Sequence, residues 1–171
     1  MVDVRALIRS VPDFPKPGIL FRDITPVLAH PAGFAAVVDG LAGLARAHGA
    51  DRIAGIESRG FIFGAPVARA LGLPFVLVRK PGKLPAATDR VEYDLEYGSD
   101  ALEIHTDSVA PGDRVVIIDD LLATGGTAEA ACTLFEKRGA DVASVLVVVE
   151  LGALGGAQRL NPRPVHALVK Y

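Results

Sequence analysis

Cysteine occurs once in these 171 residues, at position 132. That excludes an internal disulfide and any zinc site built on Cys-x-x-Cys. Cys132 sits in an Ala-rich helical stretch and reads as a packed core thiol. A basic excess is also lacking: 18 Lys and Arg stand against 20 Asp and Glu, a formal net charge of −2. General nucleic-acid binders carry a strong positive balance, so no nucleic-acid partner is expected. A few well-placed cations can still hold a small anion. No run approaches the ~18 apolar residues of a membrane span, so no membrane partner is expected either. The opening MVDVRALIRSVPDFPKPG has neither the basic flank nor the apolar centre of a secretory signal. A reducing cytoplasm is the expected location. The four histidines, His30, His48, His105 and His166, show no metal-ligand spacing and take no role. Neither GK[ST] after a Gly-rich loop nor GxGxxG occurs, which disfavours nucleoside triphosphate hydrolysis.

What is present is an apolar chain, 50% hydrophobic, of a length that suits one domain over residues 1–171. Four short runs read as buried strands: RIAGI (52–56), FVLV (75–78), RVVIID (114–119) and ASVLVVVEL (143–151). VHALVK (165–170) reads as a fifth. They are rich in Val and Ile and do not alternate, as strands covered on both faces do. Helical patterns lie between them at 33–49, 61–71 and 127–138, with stops at Gly49, Gly72 and Gly139. Strand and helix in alternation predict an α/β fold, an open, mainly parallel sheet flanked by helices. Ligands bind such sheets at the carboxyl ends of the strands. Two segments break the pattern. Residues 12–28, with prolines at 12, 15, 17 and 26, predict an ordered cover. Residues 80–112 form an excursion between core strands, too long for a mere connection, whose YDLEYGSDALEIH half suits a hairpin around Gly98.

The stretch RVVIIDDLLATGGT (114–127) carries the chemistry. If the strand persists, Asp119 and Asp120 point to opposite sides. Neither is stable in an apolar core without partners. At a strand's end, carboxylates suit sugar hydroxyls or water held on Mg²⁺. Ala123, Thr124, Gly125, Gly126 and Thr127 then open a helix. Glycines let successive N–H groups converge on one point, and the helix start adds positive partial charge. The combination suits a phosphate monoester.

This run resembles the signature of the type I phosphoribosyltransferases. DFPKPGILFRDITPVL, ESRGFIFGAPVA, VRKPGKLP, YDLEYGSDALEIH and DDLLATGGTAEAA also stand in the order seen in the adenine-specific branch of that family. Together they span most of the chain. The resemblance implies an N-terminal hood (1–32), a basic loop with a lid hairpin (80–112), and a homodimer. It implies Mg²⁺-dependent transfer of ribose 5-phosphate from 5-phosphoribosyl 1-pyrophosphate (PRPP) to adenine.

By the same resemblance, Ala123 to Thr127 cradle the 5′-phosphate and Asp119 and Asp120 face the ribose. Mg²⁺ is held mainly by substrate and waters, near those two acids. Glu57 and Ser58, joined by a non-proline cis peptide, aim backbone groups at pyrophosphate, with Arg59, Arg79, Lys80 and Lys83 as its cations. Glu57 stands where many relatives carry Asp, in a position expected to act mainly through its backbone. The basic loop can lie across a dimer interface. Glu96 and Arg59 are implied as catalytic, Glu96 as acid/base near adenine N7, with Tyr97 closing the lid. Leu20, Phe21 and Arg22 are implied for the base, Phe21 as a wall and Arg22 near the ring or lid. Two other readings remain open: a relative using hypoxanthine, guanine or xanthine, and a PRPP-binding regulator without turnover.

Overall fold

The computed structural model describes residues 2–94 and 98–171. The N-terminal part holds α1 (Val4–Leu7), β1 (Arg9–Pro12), β2 (Leu20–Asp23), α2 (Thr25–Leu28) and α3 (Pro31–Ala47). There follow β3 (Arg52–Ile56), α4 (Arg59–Leu71), β4 (Phe75–Val78), β5 (Thr88–Asp94) and β6 (Ser99–His105). The chain ends with β7 (Arg114–Leu122), α5 (Gly126–Lys137), β8 (Asp141–Glu150), α6 (Gly156–Arg159) and β9 (Val165–Lys170). All five predicted strands form one parallel sheet, in the order β4-β3-β7-β8-β9. The fold is therefore α/β with helices on both faces, as the composition of the strands predicts.

Alternate residues of a strand serve opposite faces, and β7 shows it. Val115 and Ile117 pack with Leu134 and Phe135 of α5 and with Leu102 and Ile104 of β6. Val116 and Ile118 pack instead with Val37 and Leu41 of α3 and Phe63 and Val67 of α4. Phe63 and Phe135 are fully buried, each a contribution of roughly 1.5–3 kcal/mol. Cys132 is buried beside Phe135 as expected, and burial pushes its thiol up to about 12.

The helix stops fall where the glycines predict. Gly72 caps α4 in the left-handed region, at φ 68°, and Gly49 follows α3 at φ 64°. α3 begins earlier than its apolar pattern, because Pro31 suits a first turn and His30 Nδ1 accepts the Gly33 N–H. β7 runs three residues past its predicted end, since Leu121 and Leu122 still pair with Val149 and Glu150 of β8. The proline-rich segment covers the sheet without joining it. β1 and β2 pair only with each other, in an antiparallel hairpin. β5 and β6 form a second antiparallel hairpin, from Thr88 opposite His105 to Asp94 opposite Ser99, with Gly98 at φ 94°.

His48, the C-cap of α3, and His166 on β9 meet Nε2 to Nε2 at 2.8 Å, so one must donate and the other accept. Burial, then the charges of His48 and Lys170, hold His166 below its ordinary value. A histidine with a lowered folded pKa takes up protons more readily when unfolded, so stability falls as pH drops through the unfolded value. Wild-type unfolding free energy is expected to decline from pH 7.5 to pH 5.5. His166→Gln should flatten that decline in urea titrations, and an unchanged pH slope would remove the pair from the linkage.

Candidate active site

Strand order brings the ends of β3 and β7 side by side. α4 and α5 both begin at that edge. Between them lies a cavity of about 350 Å³, lined by residues 56–59, 80, 119–128 and 147. Of the residues singled out in the sequence, Glu57, Ser58, Arg59, Lys80, Asp119, Asp120 and all five from Ala123 to Thr127 share this wall.

The loop at one end is shaped by Gly125, the N-cap of α5, at φ 85°. The first helical hydrogen bond runs from the Glu129 N–H to Gly125 O. The amides of Gly126, Thr127 and Ala128 therefore have no acceptor inside the helix. Free amides at the start of a twelve-residue helix, with its dipole, can hold an anion.

The acids sit between that loop and the start of α4. Both line the one cavity. Beyond the acids the two faces of β7 exchange. Leu121 packs on the α4 face and Leu122 on the α5 face, the reverse of what Ile117 and Ile118 predict. Asp119 Oδ1 accepts the Asp120 N–H at 2.8 Å. Asp120 Oδ2 accepts from Arg59 Nε at 2.5 Å, its side chain only 7% exposed against 58% for Arg59. Burial, then the adjacent Asp120 charge, pushes Asp119 well above the usual carboxylate range, while Arg59 pulls it down. Arg59 keeps its remaining N–H donors toward the open side.

The Glu57–Ser58 peptide is cis, as the resemblance implies. The Glu57 carboxylate has more work than a backbone role predicts. It accepts from Lys83 Nζ at 2.6 Å, the Lys80 N–H at 2.9 Å and Arg79 Nε at 3.2 Å. Burial opposes its charge, yet Lys83, the Lys80 amide and Arg79 together hold it at about 2. Arg79 and Lys83 thus bond Glu57, which lines the cavity, and do not line it themselves. Gly82 N–H also donates to Glu103 Oε2, a buried acid that sequence spacing did not single out.

The base-recognition candidates lie apart from this cavity. Leu20 is 48% exposed, and Phe21 packs edge-on to Phe14 at 5.1 Å. Arg22 bonds Ser10 Oγ and stacks 3.7 Å over the Tyr171 ring. Its side chain thus joins β1 to the residue that follows β9. Glu96 and Tyr97 lie outside the described residues.

The Phosphoribosyl transferase domain model matches residues 24–164. An adenine phosphoribosyltransferase of Synechococcus sp. is 58% identical over 170 residues, 99% of each chain. This chain belongs to the adenine phosphoribosyltransferase family. The crystal structure of the adenine phosphoribosyltransferase of Thermoanaerobacter pseudethanolicus superposes with a TM-score of 0.94 at 50% identity, over 98% of each chain. That of the Saccharomyces cerevisiae protein, complexed with an imino-altritol bisphosphate and adenine, superposes at 0.92 and 41% identity, over 96% of each.

No cluster of three metal-binding side chains occurs among the described residues. Asp119 nonetheless offers oxygen donors at the cavity, the ligand type that Mg²⁺ takes. That donor set fits an ion carried in on substrate phosphates and does not make a cage by itself.

Proposed function

We propose that the protein transfers the 5-phosphoribosyl group of PRPP to N9 of adenine, giving AMP and pyrophosphate in purine salvage. The observation that carries this reading is the lining of the one cavity. Free helix-start amides, the cations Arg59 and Lys80 and two carboxylates share it. That set suits a sugar carrying more than one phosphate group. Relatives named for this reaction support it.

In the reaction the C1′–oxygen bond to pyrophosphate breaks as the N9–C1′ bond forms, and positive charge develops on the sugar. A fixed carboxylate nearby stabilises that charge. Arg59 presents a planar fork to the departing phosphates and Lys80 a point charge. Mg²⁺, held by substrate and waters near Asp119 and Asp120, would neutralise the pyrophosphate as it leaves. Glu96 takes the ring proton displaced from adenine, and Tyr97 closes over the site. Main-chain groups of Leu20, Phe21 and Arg22 read the 6-amino group, because a mismatched base leaves buried polar groups unpaired.

We assign the protein to a reducing cytoplasm, which its one buried thiol suits. Among the described residues no helix is long and apolar enough to cross a membrane. A homodimer is our reading of the assembly, supported by exposed Ile62 on α4 and Leu77 on the edge strand β4.

Adenine, hypoxanthine, guanine and xanthine, each offered with PRPP and Mg²⁺, should yield pyrophosphate with adenine alone. Release with guanine and none with adenine overturns the base assignment. PRPP binding without release for any base supports the regulator instead.

A further inference from the structure

One polar cluster beside the cavity has no part in the scheme above. Tyr93 of β5 and Asp100 of β6 are direct cross-strand partners in the hairpin. Tyr93 is 8% exposed, so its hydroxyl needs partners inside the protein. It has three. Lys80 Nζ donates to Tyr93 Oη at 3.1 Å, and Thr127 Oγ1 donates to it at 3.4 Å. The hydroxyl in turn donates to Asp100 Oδ2 at 3.4 Å. One donor and two lone pairs are a hydroxyl's whole capacity, so the group is fully used.

The far ends of these bonds matter. Lys80 and Thr127 both line the cavity, Lys80 on the side of Arg59 and Thr127 in the helix-start loop. Asp100 Oδ2 also pairs with Lys80 Nζ, while its Oδ1 accepts the Ala101 N–H at 2.8 Å. The carboxylate is thus anchored to its own strand as it holds the ammonium. Four chain segments meet at one hydroxyl: the turn after β4, β5, β6 and the start of α5.

We propose that Tyr93, backed by Asp100, is a positioning residue that sets Lys80 and Thr127 together and so couples the two phosphate ends of the site. This rests on the functional reading of the cavity. Tyr93 touches no substrate. Its hydroxyl fixes where the Lys80 ammonium stands and which way the Thr127 hydroxyl turns, and each in turn meets one phosphate end. A group acting on only one end would weaken one product, and a residue with a purely structural role would lower thermal stability first. Tyr93 is expected to do neither.

The test is Tyr93→Phe, which keeps the ring and removes the oxygen. Calorimetry measures binding of AMP, which carries the 5′-phosphate, and separately of pyrophosphate with Mg²⁺. Both affinities should fall about five- to tenfold, the scale of one or two net hydrogen bonds, with the melting temperature near wild type. Lys80→Met should weaken pyrophosphate alone and Thr127→Val AMP alone. Adding Tyr93→Phe to either should then cost less than it does in wild type, as coupled residues require. Wild-type affinities for both products in Tyr93→Phe overturn the proposal, as does a loss confined to one. Wild-type protein that binds neither product fails at the earlier step, the reading of the cavity.

Discussion

Arg59→Ala is expected to lose about 2 kcal/mol of stability, the cost of leaving a buried carboxylate without its half-exposed donor. The partner left behind is Asp120, whose carboxylate is 7% exposed and receives Arg59 Nε at 2.5 Å. Asp119 stands next to it, its own carboxyl already pushed well above the usual range by burial and by Asp120. Without the guanidinium, two adjacent acids would share a mostly closed wall with no cation between them. Turnover should fall by at least about a hundredfold, as for loss of one preorganised charge-stabilising group. Arg59→Lys separates the two effects. A lysine restores the charge and much of the stability, but it cannot bond Asp120 and present a fork to phosphate at once. Urea unfolding and steady-state assay of both variants check this, and an Arg59→Ala protein with wild-type stability would show that Asp120 needs no partner.

The second large effect concerns glycines packed back to back. At Gly125, φ is 85°, and an added Cβ would lie 2.9 Å from Gly156 O and 3.1 Å from Gly156 Cα. At Gly156, which lines no part of the cavity, a Cβ would lie 2.4 Å from Ala123 O and 2.9 Å from Leu122 Cγ. The nearest atom in each case, Gly156 O or Ala123 O, belongs to the backbone, so turning a side chain does not relieve it. Gly125→Ala strains the cap directly; Gly156→Ala pushes the loop from behind. Both should weaken PRPP binding by about a hundredfold, the scale of a 1 Å misplacement. A Gly156→Ala protein that binds PRPP as wild type would mean that the loop yields without loss. Calorimetric affinity with circular dichroism as a folding control decides it.

Local chemistry made much of this protein legible from its sequence. Strands are runs of Val and Ile, helix stops are glycines in the left-handed region, and the 123–127 loop combines glycines with a helix start. Each of these depends on neighbours within a few residues, which is the range that spacing reports. The cis peptide at Glu57–Ser58 was reached through resemblance alone.

Other features depend on which segments the fold sets side by side. β3 lies against β7 in the sheet, and only that order carries Arg59 to Asp120, 61 positions away. The same arrangement turns Glu57 from a backbone position into the hub for Arg79 and Lys83. It sets Gly156 behind Gly125, Tyr93 between Lys80 and Thr127, and Arg22 on Tyr171. It likewise places Asp119 and Asp120 in one cavity with Glu57, Ser58 and Arg59. Sequence determined the elements and the phosphate loop, because those follow from dihedral preference and periodicity. Tertiary structure decided the partners of the charges, because strand order and burial choose them and no local pattern encodes either.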